Sequence, residues 1–123
     1  MWRDEEPTFG LSYIGFWDPT TGQQSEGALH RDTHAAGIIR DEYIDAQGVQ
    51  HEAKVVAVLH APDGVRWDND IAAERMSLLL RYYGDCECIV EMNNAGMECI
   101  GYLKAMGRRL WTREKRDHKN PGK

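Results

Sequence analysis

The chain has 123 residues, enough for one domain with a real core, and its 41% hydrophobic and 28% charged content is ordinary for a globular protein. No apolar run approaches the roughly 18 residues needed to span a bilayer. The opening stretch Met1 to Pro7 is too acidic and polar to read as a signal peptide, so the expected compartment is cytoplasmic, with no membrane partner.

The net charge of −5 conceals an asymmetry. Residues 108–123 hold seven of the fifteen basic residues and two of the twenty acids, so this end carries +5 and the remainder −10. An acidic body with a basic end suits a polyanion at one place and cations at another; the competing reading is a solvated terminus. Cys86, Cys88 and Cys99 make an odd count with neither a disulfide framework nor a CxxC zinc pattern. They read as buried free thiols in a reducing compartment.

Along the chain, residues 1–8 lack periodicity and read as a leader. Residues 11–17, rich in aromatic and branched side chains, predict a strand that stops at Asp18-Pro19, because proline removes a ladder donor. Residues 20–31, with Gly22 and Gly27 among amides and hydroxyls, predict a loop. Residues 34–44 read as a second strand with Gly37 as a bulge. Asp45-Ala46-Gln47-Gly48 is a turn signal, and residues 51–60 read as a third strand, so the pair forms an antiparallel hairpin and the chain opens as a meander.

After the break at Ala61-Pro62-Asp63-Gly64, a helix fits residues 70–83, with Asp68, Asn69 or Asp70 as its N-cap. Ile71, Ala72, Met76, Leu79, Leu80 and Tyr83 form its apolar stripe. Gly84-Asp85 ends it. Cys88, Ile89 and Val90 then predict a short strand running into Glu91 and an Asn93-Asn94-Ala95-Gly96 turn. A second helix fits residues 95–106, with Met97, Ile100, Leu103 and Met106 as its apolar rhythm and Gly107 as the C′ residue. Residues 109–113 predict a last short strand. The order βββ-α-β-α-β implies an α/β fold, a mixed sheet with helices packed on it, over residues 1–113. Residues 114–123 read as a basic flexible tail.

Two acids stand out because each sits at the carboxyl end of a predicted strand, the rim where open α/β sheets gather ligands. In this order the strands before Asp18 and Glu91 are parallel neighbours, which places the two Cβ atoms about 5–6 Å apart by sheet spacing. Carboxylates that close repel unless a cation bridges them. Hard oxygen ligands with open coordination positions suit Mg²⁺ or Mn²⁺. Two such ions activate water and stabilise a leaving oxygen in phosphodiester cleavage. The competing reading is a pair of unrelated exposed acids.

Other candidates have simpler accounts. His30, His34, His51 and His60 form no convincing metal set and read as solvated or hydrogen-bonded residues. The four tryptophans and five tyrosines suit packing better than base stacking. Asn93 and Asn94 have two readings, orienting a phosphate or a water, or forming the turn and capping the helix. Arg108, Arg109, Arg113, Lys115 and Arg116 are placed to contact DNA phosphates without reading sequence.

Three stretches carry a family resemblance: Gly15-Phe16-Trp17-Asp18-Pro19-Thr20-Thr21-Gly22, Arg31-Asp32-Thr33-His34-Ala35 and Val90-Glu91-Met92-Asn93-Asn94-Ala95-Gly96. They resemble the nuclease domain of the large terminase subunit of tailed bacteriophages. The likeness covers most of residues 11–113, and its most specific part is glutamate followed by Asn-Asn-x-Gly. It implies a ribonuclease H-like fold and metal-dependent cutting of concatemeric double-stranded DNA during genome packaging, in a phage- or prophage-encoded protein. Position by position, Asp18 is implied as the first-strand metal ligand and Glu91 as the fourth-strand ligand. Asp32 matches an acid opening the second strand, its alternative being a turn or strand-entry residue.

Two departures accompany the resemblance. The stretch between Asp18 and Asp32 is longer than the family's, and the family's third acid, on a helix well after the fifth strand, has no match, since Asp117 lies among Arg116, His118 and Lys119. The chain therefore reads as the front part of such a domain. It has no GxxxxGK[ST] phosphate loop, so the packaging ATPase is expected to be absent from this chain, and the resemblance implies the portal, the small terminase subunit or a separate ATPase domain as a partner. A non-cutting module of the same fold, which binds DNA or a packaging partner, is the second expectation. Another ribonuclease H-like enzyme, such as a resolvase or transposase, is the third, and the Asn-Asn-x-Gly turn argues against it.

Overall fold

The computed structural model describes residues 2–19, 35–62, 64–65, 67–91 and 94–111, with Asn94 and Ala95 described by their backbone alone. The elements are β1 (Trp2–Arg3), β2 (Tyr13–Asp18), β3 (Ala35–Arg40), β4 (Tyr43–Ile44), β5 (Gln50–His51), β6 (Lys54–Leu59), α1 (Asn69–Tyr82), β7 (Cys88–Val90), α2 (Asn94–Ala105) and β8 (Leu110–Trp111). Six strands make a mixed sheet in the order β1-β6-β3-β2-β7-β8, and β4 and β5 pair separately. The expected meander and βαβα alternation are present: β2, β3 and β6 run antiparallel, and β7 and β8 join parallel to β2.

The second and third expected strands are each divided. Asp41 and Glu42 separate β3 from β4, and Glu52 and Ala53 separate β5 from β6, so a small ribbon leaves the main sheet. The residues at the divisions, all exposed, have no buried face to hold them in the ladder. The irregularity between β3 and β6 falls at Ile38/Ile39, with Val56 as the extra residue, rather than at Gly37. Gly37 answers a different need. A Cβ there would lie 2.3 Å from the Ala57 carbonyl oxygen and 2.9 Å from the Phe16 ring.

Residues 1–8 also differ from the expected leader. Trp2 and Arg3 pair antiparallel with Val58 and Ala57, and the Asp4 N–H donates to the Val56 carbonyl at 2.8 Å. Two residues give periodicity nothing to act on, so this edge strand is invisible to pattern reading.

Asp68 takes the N-cap position of α1 in extended geometry, its carbonyl accepting the Ala72 N–H at 2.9 Å. The helix ends where Gly84 (φ 81°) and Asp85 (φ 57°) turn left-handed. Gly107 (φ 78°) closes α2 with paired bonds, its N–H to the Lys104 carbonyl and the Arg108 N–H to the Leu103 carbonyl, each at 3.0 Å.

Both helices bury their apolar sides in one cluster. Ala72, Ala73, Met76, Leu79, Leu80 and Tyr83 of α1 and the turn after it, with Cys99, Ile100 and Leu103 of α2, meet Trp17, Ile38, Val56, Cys88 and Val90 of the sheet. Each large side chain withdrawn from water contributes about 1.5–3 kcal/mol. Ile71 and Met97, expected in the stripes, are exposed, while Ser77 and Cys99 are buried. Cys86, Cys88 and Cys99 are buried free thiols, and no described helix is long and apolar enough to cross a membrane.

Candidate functional site

The site is built from the sheet's register. Four buried residues stand side by side across β6, β3, β2 and β7: Leu59 opposite Ala36, Ala36 opposite Trp17, and Trp17 opposite Val90. The next level is exposed in all four strands, and it holds His60, Ala35, Asp18 and Glu91. The ladder continues to this level, because the Glu91 N–H donates to the Trp17 carbonyl at 2.9 Å. Asp18 and Glu91 therefore end adjacent parallel strands at the same rim.

Alternation along β2 sends Asp18 to the side of Phe16, away from buried Trp17. Pro19, itself buried, ends the strand immediately afterwards. Neither carboxylate is engaged in an ion pair among the described residues. Among the described residues the donor set is two exposed carboxylates. These are hard oxygen ligands open to water, which fits Mg²⁺ or Mn²⁺ and does not fit a softer metal. Among the described residues no group of three or more His, Cys, Asp or Glu is gathered closely enough to hold a metal ion. Asp32, Asn93, Arg113, Lys115, Arg116 and Asp117, like the tail of residues 114–123, lie outside the described residues.

Arg108 and Arg109 stand at the other end of β7. The Cys88 N–H donates to the Arg109 carbonyl at 3.0 Å, so both arginines precede the level at which β7 begins. Glu91 is three residues further along, about 10 Å. The Arg108 guanidinium, mostly buried, binds the Asp85 carboxylate at 2.7 Å and the Met106 carbonyl at 3.3 Å. Arg109 donates to the Asp85 carbonyl. Arg108 thus has a structural task, closing the α1–β7 turn onto the end of α2.

His51 is hydrogen-bonded as expected. Its Nε2 lies 2.9 Å from Asp45 Oδ2, its ring stacks on Tyr43 at 4.5 Å, and the contact holds the Asp45 carboxyl below its ordinary pKa. His60 is exposed, as expected, with its Nδ1 3.3 Å from the Ala61 carbonyl. It becomes notable through the hairpin register, which alone brings it to the level of Asp18. Compared with protein-family models and with curated proteins, the chain matches none.

Proposed function

We propose that the chain is a metal-dependent DNA endonuclease domain of the terminase type, with a ribonuclease H-like fold, acting on double-stranded DNA in a phage- or prophage-encoded packaging system. The observation that carries this reading is the placement of Asp18 and Glu91 at one level of adjacent parallel strands. The strand run β6-β3-β2-β7-β8, antiparallel on one side of β2 and parallel on the other, supports the fold assignment. A packaging ATPase domain, the portal and the small terminase subunit are the partners this reading implies.

In the proposed site Asp18 and Glu91 hold Mg²⁺ or Mn²⁺. When bound, the ions supply activation of a water and stabilisation of the leaving phosphodiester oxygen. The chain's own part is positional. The β2–β7 ladder fixes the spacing of the two carboxylates, and their exposure lets a phosphate and water approach together. A second reading, a non-cutting DNA- or partner-binding module of the same fold, is favoured by the absence from the sequence of a match to the third acid that the resembling family uses.

The test is nicking of supercoiled plasmid in Mn²⁺, in Mg²⁺ and in EDTA, with Glu91→Ala in parallel. Metal-dependent nicking that disappears in the variant supports the nuclease. Nicking unchanged by Glu91→Ala, or none at all, moves the assignment to the non-cutting module.

A further inference from the structure

A groove of about 660 Å³ runs beside α1 along the β1–β6 edge. Its far end is closed by Arg3, whose guanidinium lies 4.9 Å from the centre of the Tyr82 ring and 3.1 Å from the Glu6 carboxylate. Its near end is formed by His60 and Trp67. Because His60 follows Leu59, which shares a level with Ala36 and Trp17, this end reaches the level of Asp18, whose side chain projects from the other face of the sheet. At about 4.8 Å per strand, His60 stands roughly 10 Å from Asp18, across Ala35.

The lining is the reverse of the chain's overall balance. The described groove residues include Arg3, Arg75 and His60 and no acid, although residues 1–107 together carry −10. Arg75 makes no ion pair among the described residues. The lining also includes the rings of Trp67 and Tyr82 and the exposed side chains of Val65 and Leu78. Guanidinium groups beside flat apolar surface fit a ligand that carries both phosphates and bases.

We propose that this groove holds a single strand of nucleic acid and leads it to the carboxylate rim, with Arg75 and His60 on phosphates and Trp67 against a base. Resting on the nuclease reading, it names the track taken by one separated strand of that double-stranded substrate. It replaces Arg108 and Arg109, which stand at the opposite rim.

The test is binding rather than cutting. A short fluorescein-labelled oligothymidylate is titrated in EDTA, by anisotropy and by tryptophan emission, against the native chain, Arg75→Glu, Trp67→Phe and Lys104→Glu. The last is an exposed charge on α2. The expected result is salt-sensitive binding that Arg75→Glu weakens about tenfold and Lys104→Glu leaves unchanged, with the emission quench lost in Trp67→Phe. Absence of binding, equal binding by Arg75→Glu, or equal displacement of the strand by polyglutamate overturns the track. The last result assigns the groove to an acidic protein segment or to charge alone. Groove binding without plasmid nicking sinks only the nuclease, and nicking with Arg75→Glu binding intact sinks only the track.

Discussion

Glu5 and Arg40 meet across 35 positions of chain, one guanidinium nitrogen of Arg40 lying 2.7 and 2.8 Å from the two Glu5 carboxylate oxygens. The other terminal nitrogen donates to the Glu52 carbonyl at 2.5 Å, and the guanidinium lies 5.0 Å from the Tyr43 ring centre. The Tyr83 hydroxyl donates to the Glu5 carbonyl at 2.5 Å. One buried cation thus ties the opening segment, the β3–β6 pair and the ribbon together. Arg40→Ala leaves Glu5 and the Glu52 carbonyl without this donor and is expected to cost about 3 kcal/mol in urea unfolding.

The same pair sets an acid dependence. The Arg40 hydrogen bond, opposed by burial and reinforced by Lys54, holds the Glu5 carboxyl below its ordinary value of 4.5. A depressed folded value means that the contribution is complete above pH 4.5 and drains away as pH falls through the folded value. Unfolding midpoints measured from pH 6 downward should decline in the native chain and decline less steeply in Glu5→Gln.

Gly15 and Gly37 offer a graded pair of substitutions. At Gly37 an added methyl meets the Ala57 carbonyl oxygen at 2.3 Å, a backbone atom that cannot move without breaking the β3–β6 register. At Gly15 it meets Leu80 Cδ2 at 2.4 Å and Met76 Cε at 3.0 Å, the ends of flexible side chains. Gly15→Ala should cost about 1–2 kcal/mol and Gly37→Ala about 3 kcal/mol or more, read by chemical denaturation.

Burial raises the thiol of Cys86 to about 11 and that of Cys99 to about 12, and pushes Cys88 further up. Neutral thiols in the native state and ionised ones in the unfolded chain mean that stability falls as pH rises above about 9. Ellman's reagent at pH 8 should label none of the three until urea unfolds the protein, and all three afterwards.

Asp18→Asn and Glu91→Gln remove charge from exposed positions, so each should leave the thermal midpoint within about 2 °C of the native value. On the proposed reading each lowers metal-dependent nicking at least about a hundredfold. A variant that loses the fold along with the activity would count against the placement of these side chains at the rim.

Much of the architecture was legible because it rests on local chemistry. Asp18-Pro19 stops β2, Gly84-Asp85 and Gly107 stop the helices, and the parallel placement of β7 beside β2 follows from element order. What was not legible depends on partners distant in the chain. Trp2–Arg3 becomes a strand only because Ala57 and Val58 offer a ladder, and Arg40 sits in the interior only because Glu5 and Glu52 receive it. Met97 has the spacing of a core residue on α2, yet α1 meets that helix on the side of Cys99 and Leu103. In the site, Asp18 and Glu91 could be paired by element order alone. His60 could not, because its level is fixed by a hairpin register that the Val56 irregularity shifts.

The described sheet is bounded on one margin by a strand of only two residues, β1. A free margin of that length offers a visiting strand too few open rungs to align on, and a second copy of the chain would gain little by adding itself there. Removal of Trp2 and Arg3 changes this, because β6, three times as long and carrying exposed Val55, then becomes the margin. The first residues of the described chain thus act as a guard against filament growth, and their deletion should be read first as turbidity rather than as lost folding.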